Sequence, residues 1–159
     1  MKKEFVMRGK TASGEYDILE FGGRQKETKN MAYRMTEFLI YPSSSIGTAH
    51  AELAATVTAG KLTGTPPASP SDPANPDFEQ EGLIASALFG MGDSISYPKM
   101  LISVVNDTFL ITQNLVIAAI DTISGAPMAT NWQCRFEAVK MTDAQTAATN
   151  FKQFTISDE

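Results

Sequence analysis

The sequence predicts an all-β protein: one antiparallel β-sandwich, jelly-roll-like, with a short C-terminal helix and a long Pro-rich loop. Three observations carry this. Most segments read with period two or as short apolar runs, the pattern of strands with one or both faces buried. Glycine, proline and Asn/Asp punctuate them at short intervals. No long segment of period 3.6 alternates with them, which argues against a doubly wound α/β fold. No internal repeat is present, and 159 residues suit a single domain spanning 1–159.

Taken in order, "EFVMRGKT" (4–11) and "EYDILEF" (15–21) are strand candidates separated by the turn-prone "ASG". "YRMTEFLIY" (33–41) is rich in aromatic and branched residues and stops at Pro42. In "AELAATVTA" (51–59), Leu53, Ala55, Val57 and Ala59 alternate with Ala54, Thr56 and Thr58, which predicts a half-buried strand. "GLIASALFG" (82–90) is an apolar run between glycines. "MLISVV" (100–105) meets "ND", and "TFLITQ" (108–113) follows at hairpin spacing. "NLVIAAIDT" (114–122) is apolar enough for burial on both faces. In "NWQCRFEAVKM" (131–141), Trp132, Cys134, Phe136 and Ala138 share one face, and Gln133, Arg135 and Glu137 share the other. Val139 and Met141 are apolar in the opposite phase, so a bulge or strand end is expected near 138–139.

Two segments depart from the strand pattern. Residues 61–81 hold five of the eight prolines, at 66, 67, 70, 73 and 76. Proline lacks a ladder donor and holds its predecessor extended, so this reads as a long surface loop. It is either a reach toward a neighbouring molecule or a simple insertion. "TDAQTAATNFKQF" (142–154) reads as a short helix, with Thr142 and Gln145 spaced as a capping box. Ala144, Ala147, Ala148 and Phe151 form its stripe, a face expected to pack weakly or to meet another subunit.

Net charge is −5, which disfavours general nucleic-acid binding. The balance is uneven: residues 1–34 carry eight Lys/Arg against five Asp/Glu, and residues 35–159 five against thirteen. The basic N-terminal part leaves a local contact with nucleic acid or an acidic neighbour open. A single cysteine forms no internal disulfide, so stability is left to core packing or assembly. "MKKEFVMRGK" lacks the apolar run of a secretory signal, and "NLVIAAI" is too short to span a bilayer. The expectation is a soluble protein made in a cytoplasm, with no membrane span.

Residues that do chemistry are scarce. His50 is the only histidine, so a zinc site of several His and Cys cannot be assembled. Asp72, Asp77, Glu79 and Glu81 crowd the proline loop without the spacing of a calcium loop and read as solvated acids. Ser43, Ser44 and Ser45 follow Pro42 and read as a turn, with hydroxyls on backbone groups. "GMGDS" (90–94) lacks the lysine of a phosphate loop, and "FGGRQK" (21–26) reads as a hairpin turn. Cys134 lies between Trp132 and Phe136 on an apolar face, where a thiol acts as a small hydrophobe. Trp132, Tyr16, Tyr33 and Tyr41 fall mostly in strand patterns that predict burial, which leaves little for a sugar-binding platform. Catalytic, cofactor-binding and metal-ligating residues are therefore predicted as none, and no cofactor is expected.

The layout of "MKKEFVMRGKTASGE", "YRMTEFLIYPSS", "VVNDTFLITQNLVI" and "NWQCRFEAVKM" resembles small β-sandwich virion structural proteins of bacteriophages, particularly marine phages. The resemblance covers most of the chain and lies in strand pattern, with no ligand motif to carry over. It implies a non-enzymatic protein of the virion: a capsid, capsid-decorating or vertex component present as an oligomer. Its partners would be other copies of itself and other virion proteins, met through the N-terminal segment, the 61–81 loop and the C-terminal helix. The alternative is a β-sandwich module that binds carbohydrate or another surface ligand.

Overall fold

Alternation sorts nearly every strand into an inward and an outward row, and the inward rows of two sheets meet in one core. The computed structural model describes residues 3–11, 17–19, 31–43, 51–59, 73–91, 100–122 and 129–149. Within them lie eight strands: β1 (Glu4–Thr11), β2 (Asp17–Leu19), β3 (Met31–Pro42), β4 (Ala51–Ala59), β5 (Leu83–Met91), β6 (Met100–Val105), β7 (Leu115–Asp121) and β8 (Thr130–Lys140). A three-stranded sheet runs β1-β8-β3 and a five-stranded sheet β2-β7-β4-β5-β6, every pairing antiparallel. The pairings nest: β1 joins β8, β2 joins β7, and β4 joins β5. β3 and β6 lie against each other where the sheets come together, and there the Ser103 hydroxyl donates to the Phe38 carbonyl at 2.6 Å.

The all-β sandwich is therefore as the sequence predicts. Met35, Phe38, Ile40, Trp132, Cys134 and Phe136 from the smaller sheet pack on Leu53, Val57, Phe89, Leu115 and Ile117 from the larger. Phe38 and Phe136 are wholly buried, each side chain stabilising by roughly 1.5–3 kcal/mol relative to exposure. Phe5 stacks on Phe136, with ring centroids 5.4 Å apart, and meets Tyr33 edge-on at 5.5 Å, so β1 is held to the core by aromatic contacts.

The predicted β4 and β6 bounds coincide with the observed strands, as do those of β1. β7 is buried on both faces over Leu115–Ala119, as its composition predicts. β4 is more enclosed than the half-buried strand its alternation suggests. It is the middle strand of its sheet, and its outward Ala54, Thr56 and Thr58 are buried as well as its inward row.

Two expectations require correction. Residues 108–113 do not pair back on β6 as a hairpin. The Asn106 carboxamide oxygen accepts from the Thr108 backbone N–H at 3.2 Å and from its hydroxyl at 2.7 Å, an Asx turn that directs the chain away from β6. Ile111 then crosses to the other sheet and exchanges two backbone hydrogen bonds with Tyr33 of β3, at 2.6 and 3.0 Å. Of the bulge or strand end expected near 138–139 of β8, the bulge is absent there and the strand end is what occurs, at Lys140; the register slips instead in the partner, between Met35 and Glu37 of β3. β8 stays regular to its end at Lys140, and Met141 is buried just beyond it, which accounts for the change of apolar phase.

The second correction concerns the helix, α1 (143–149). Its capping box is present: the Thr142 hydroxyl accepts from the Gln145 N–H at 3.2 Å, and the Gln145 side chain accepts from the Thr142 N–H at 3.0 Å. Its alanine stripe does not pack inward, however. Ala144, Ala147 and Ala148 are exposed, while Thr146 and Thr149 are the half-buried positions. Thr146 bonds back to the Thr142 carbonyl at 2.9 Å, consistent with a turn oriented by its cap rather than by apolar burial. Phe151 and the rest of 150–154 lie outside the described residues, as do 61–72 of the Pro-rich segment.

Candidate functional site

The pairing of the lone tryptophan with the lone cysteine is structural on the inner side of β8. Cys134 is fully buried and free, and burial, assisted by the Asp17 carboxylate, pushes its thiol well above the ordinary value of 9.0. Such a thiol stays protonated and is not a nucleophile. The Trp132 indole N–H donates to Asp17 Oδ2 at 2.8 Å, joining β8 of one sheet to β2 of the other across the sandwich. Gly9 of β1 stands opposite Trp132 in the register, and the indole occupies the space where a side chain would begin. A Cβ at Gly9 would sit 2.5 Å from Trp132 Cζ2 and 2.8 Å from Cε2.

A groove of about 430 Å³ is lined in part by Gly9, Ile40 and Trp132, residues of the inward rows. Its walls come from Leu39 and Tyr41 of β3, Leu101 of β6, Arg8 of β1, and Asn131 and Gln133 of β8. Tyr41 is 52% exposed, an outward exception among the strand aromatics, and its ring tilts toward Phe89 at a centroid distance of 5.8 Å. Arg8 Nε donates to Gln133 Oε1 at 2.6 Å, and the Gln133 amide donates to Glu37 Oε1 at 3.4 Å. Asn131 is held by its amide on the Pro42 carbonyl at 3.4 Å. The polar rim is thus pre-positioned by strand-to-strand bonds, beside an apolar lining from Leu39 and Leu101.

The outward residues of β8 are accordingly committed to neighbouring strands. Gln133 sits between Arg8 and Glu37, and Glu137 lies 3.9 Å from Arg34. Arg135 is half-buried, beside the β3 bulge, where its backbone carbonyl accepts from the Thr36 hydroxyl.

A second hollow, of about 240 Å³, lies toward the other end of β6, lined by Phe78, Leu83, Ser86, Val104 and neighbouring residues. Phe78, at 64% exposure, is the most exposed of the large hydrophobic residues in the described chain. It stands between Asp77 and Glu79, and its turn is ordered by Asp77, whose Oδ1 accepts from the Glu79 N–H at 3.0 Å. The Asp77 carbonyl also accepts from the Gln80 N–H at 3.0 Å. β6 itself shows Leu101, Ile102 and Val104 to solvent and carries no charged residue, an edge of the kind that invites pairing.

Among the described residues, no three of His, Cys, Asp and Glu gather as a metal site, and no helix is long and apolar enough to cross a membrane. Asp77, Glu79 and Glu81 lie in the turns that lead into β5, whereas Asp72 and His50 fall outside the described residues. The Ser43 hydroxyl donates to the Ala129 carbonyl at 2.7 Å, the backbone role its turn position predicts. Ser44, Ser45, Tyr16, "FGGRQK" and the end of "GMGDS" lie outside the described residues. Sequence reasoning passed over Arg8, Leu101 and Phe78, and grouped Tyr41 with the strand aromatics expected to be buried, where the structure exposes it. Only Phe78 carried a readable signal, a large apolar residue set among acids in a turn-rich segment. No protein-family model matches the chain, and no curated protein matches it.

Proposed function

We propose that the chain is a non-enzymatic structural protein of a bacteriophage virion, a capsid, capsid-decorating or vertex component that acts through contacts between subunits. The observation that carries this reading is the nested strand order. Pairing first with last, second with seventh and fourth with fifth, with the third beside the sixth, resembles the wrapping of a jelly roll, with β6 hydrogen-bonded to β5 at the edge of the larger sheet. That architecture recurs in viral capsid proteins and in lectins, so fold alone is an analogy. What favours assembly is the placement of apolar surface: Phe78, Tyr41 and the β6 residues Leu101, Ile102 and Val104 are exposed. The exposed alanines of α1 offer a further close-approach face.

A carbohydrate-binding module would be supported by an exposed aromatic platform. Among the described residues the two exposed aromatics, Tyr41 and Phe78, line different hollows and do not form one. The test is the composition of purified particles. Quantitative mass spectrometry should find the chain in a fixed, symmetry-compatible ratio to the other particle proteins. Recovery only as a free monomer from infected cells would sink the reading, and saturable glycan binding by that monomer would favour the module.

A further inference from the structure

We propose that Phe78 of one copy seats in the groove between Arg8, Tyr41 and Leu101 of a second copy, with Asp77 and Glu79 of the first facing Arg8 of the second. This deepens the assembly reading and rests on it: it names which two surfaces of the chain meet.

Shape, charge and position agree. The groove of about 430 Å³ has an apolar lining from Leu39 and Leu101, with Tyr41 beside them. An apolar cavity of about 150 Å³ suffices for a benzene ring, so the groove takes a phenyl group with room for its neighbours. The one formal charge lining it is the Arg8 guanidinium, which spends its Nε on Gln133 and leaves its terminal nitrogens for a partner. Lys10 follows on the same exposed row of β1. The nearby Glu37 carboxylate already accepts from Gln133. On the other side of the proposed contact, "DFEQE" (77–81) surrounds the exposed Phe78 with Asp77, Glu79 and Glu81. An acid-flanked aromatic knob and a cation-rimmed apolar groove are complementary, and the charges set register and encounter rate.

Position makes the contact intermolecular. Leu101 lines the groove and Val104 lines the hollow beside Phe78. Three residues of extended strand separate them, about 10 Å, and within one copy Phe78 faces the hollow at its own end of β6. A knob at one end and a socket at the other produce a head-to-tail contact. Such a contact closes into a ring or continues as an open array, according to the rotation between copies.

The test uses the full chain, with association followed by sedimentation equilibrium at low salt. Phe78→Ala is expected to weaken self-association about thirty-fold or more, as for a buried aromatic anchor. Arg8→Glu should weaken it comparably, and raised salt should weaken the wild-type contact. Phe78 is mostly solvent-exposed, so Trp132 fluorescence should show Phe78→Ala folded. The decisive arm is a mixture of the two variants. The Arg8→Glu copy keeps its knob and the Phe78→Ala copy keeps its groove, so the mixture should form 1:1 pairs and stop there. A mixture that remains monomeric, or a Phe78→Ala variant that associates like wild type, overturns this contact while leaving self-assembly standing. A wild-type chain that stays monomeric up to millimolar concentration overturns the assembly reading itself.

Discussion

Gly9→Ala tests the close packing of Trp132 against β1. The added methyl group would stand 2.5 and 2.8 Å from two carbons of the Trp132 indole and 3.1 Å from Asp17 Oδ2. Contacts that short require something to shift. The indole is not the free end of a flexible chain: it is 6% exposed, packed in the core, and tied by its N–H to Asp17. Overpacking of this kind typically costs about 1–3 kcal/mol. Breaking the Trp132–Asp17 bond to relieve it adds roughly 1–3 kcal/mol for a partly buried group left unpaired. Against this, alanine restricts the unfolded chain and returns about 0.4–1 kcal/mol. The net expectation is a destabilisation of about 1–6 kcal/mol, centred on about 3, which at the centre is roughly 6–12 °C in Tm for a chain of this size. Urea and thermal denaturation measure it, and the single tryptophan supplies an intrinsic fluorescence probe at the perturbed position. Trp132→Phe removes the clashing ring, so the double variant should recover at least about 1 kcal/mol relative to additivity. A Gly9→Ala protein with unchanged Tm and unchanged emission would refute the close approach.

Further outcomes are expected at Cys134, Thr142 and Ser103. The Cys134 thiol should resist alkylating and disulfide reagents in the native protein at pH 8 and react only at the rate of unfolding, because burial keeps it protonated. Its folded pKa is raised, so its contribution to stability is complete below the ordinary value of 9.0 and is lost as pH rises above it. Unfolding free energy should therefore fall by up to about 1.4 kcal/mol per pH unit in that window, and Cys134→Ala should flatten that slope, as pH-dependent urea titrations would reveal. Thr142→Ala removes the cap of α1 and should cost about 1 kcal/mol of local helix stability, seen as faster amide exchange over 143–149 with little change in global Tm. Ser103→Ala deletes the 2.6 Å bond to the Phe38 carbonyl at the β3–β6 contact and should cost about 0.5–1.5 kcal/mol; a neutral result in chemical denaturation would remove that bond as a contributor.

The strands were legible because their signal is local. Period-two rows such as Leu53, Ala55, Val57 and Trp132, Cys134, Phe136 state which side of the chain is apolar, and those sides meet in the core. What failed depends on partners distant in sequence. "TFLITQ" has the composition of a strand, but its ladder partner is Tyr33 and its departure is set by the Asn106 side chain. The change of phase at Val139 and Met141 marks the end of β8, one of the two readings offered for it, whereas nothing local in β8 announces the register slip of β3 opposite Arg135 and Phe136. The alanines of α1 show the limit of a periodic stripe, since spacing identifies a face without saying whether anything covers it.

The groove was illegible for the same reason, and how it is built bears on where function resides. No single segment encodes it: Arg8, Tyr41, Leu101 and Gln133 arrive from four strands. On the core side, the indole packs against β1 because β1 presents a glycine opposite it, the one thiol is buried and protonated, and the indole N–H is committed to Asp17. The chemistry-bearing side chains of β8 are spent on holding the two sheets together. Apolar side chains stand in solvent on the outer rows and at the ends of β6, which carries no charged residue. Under the proposed assembly, a second copy covers this surface and brings the complementary charge from its opposite end.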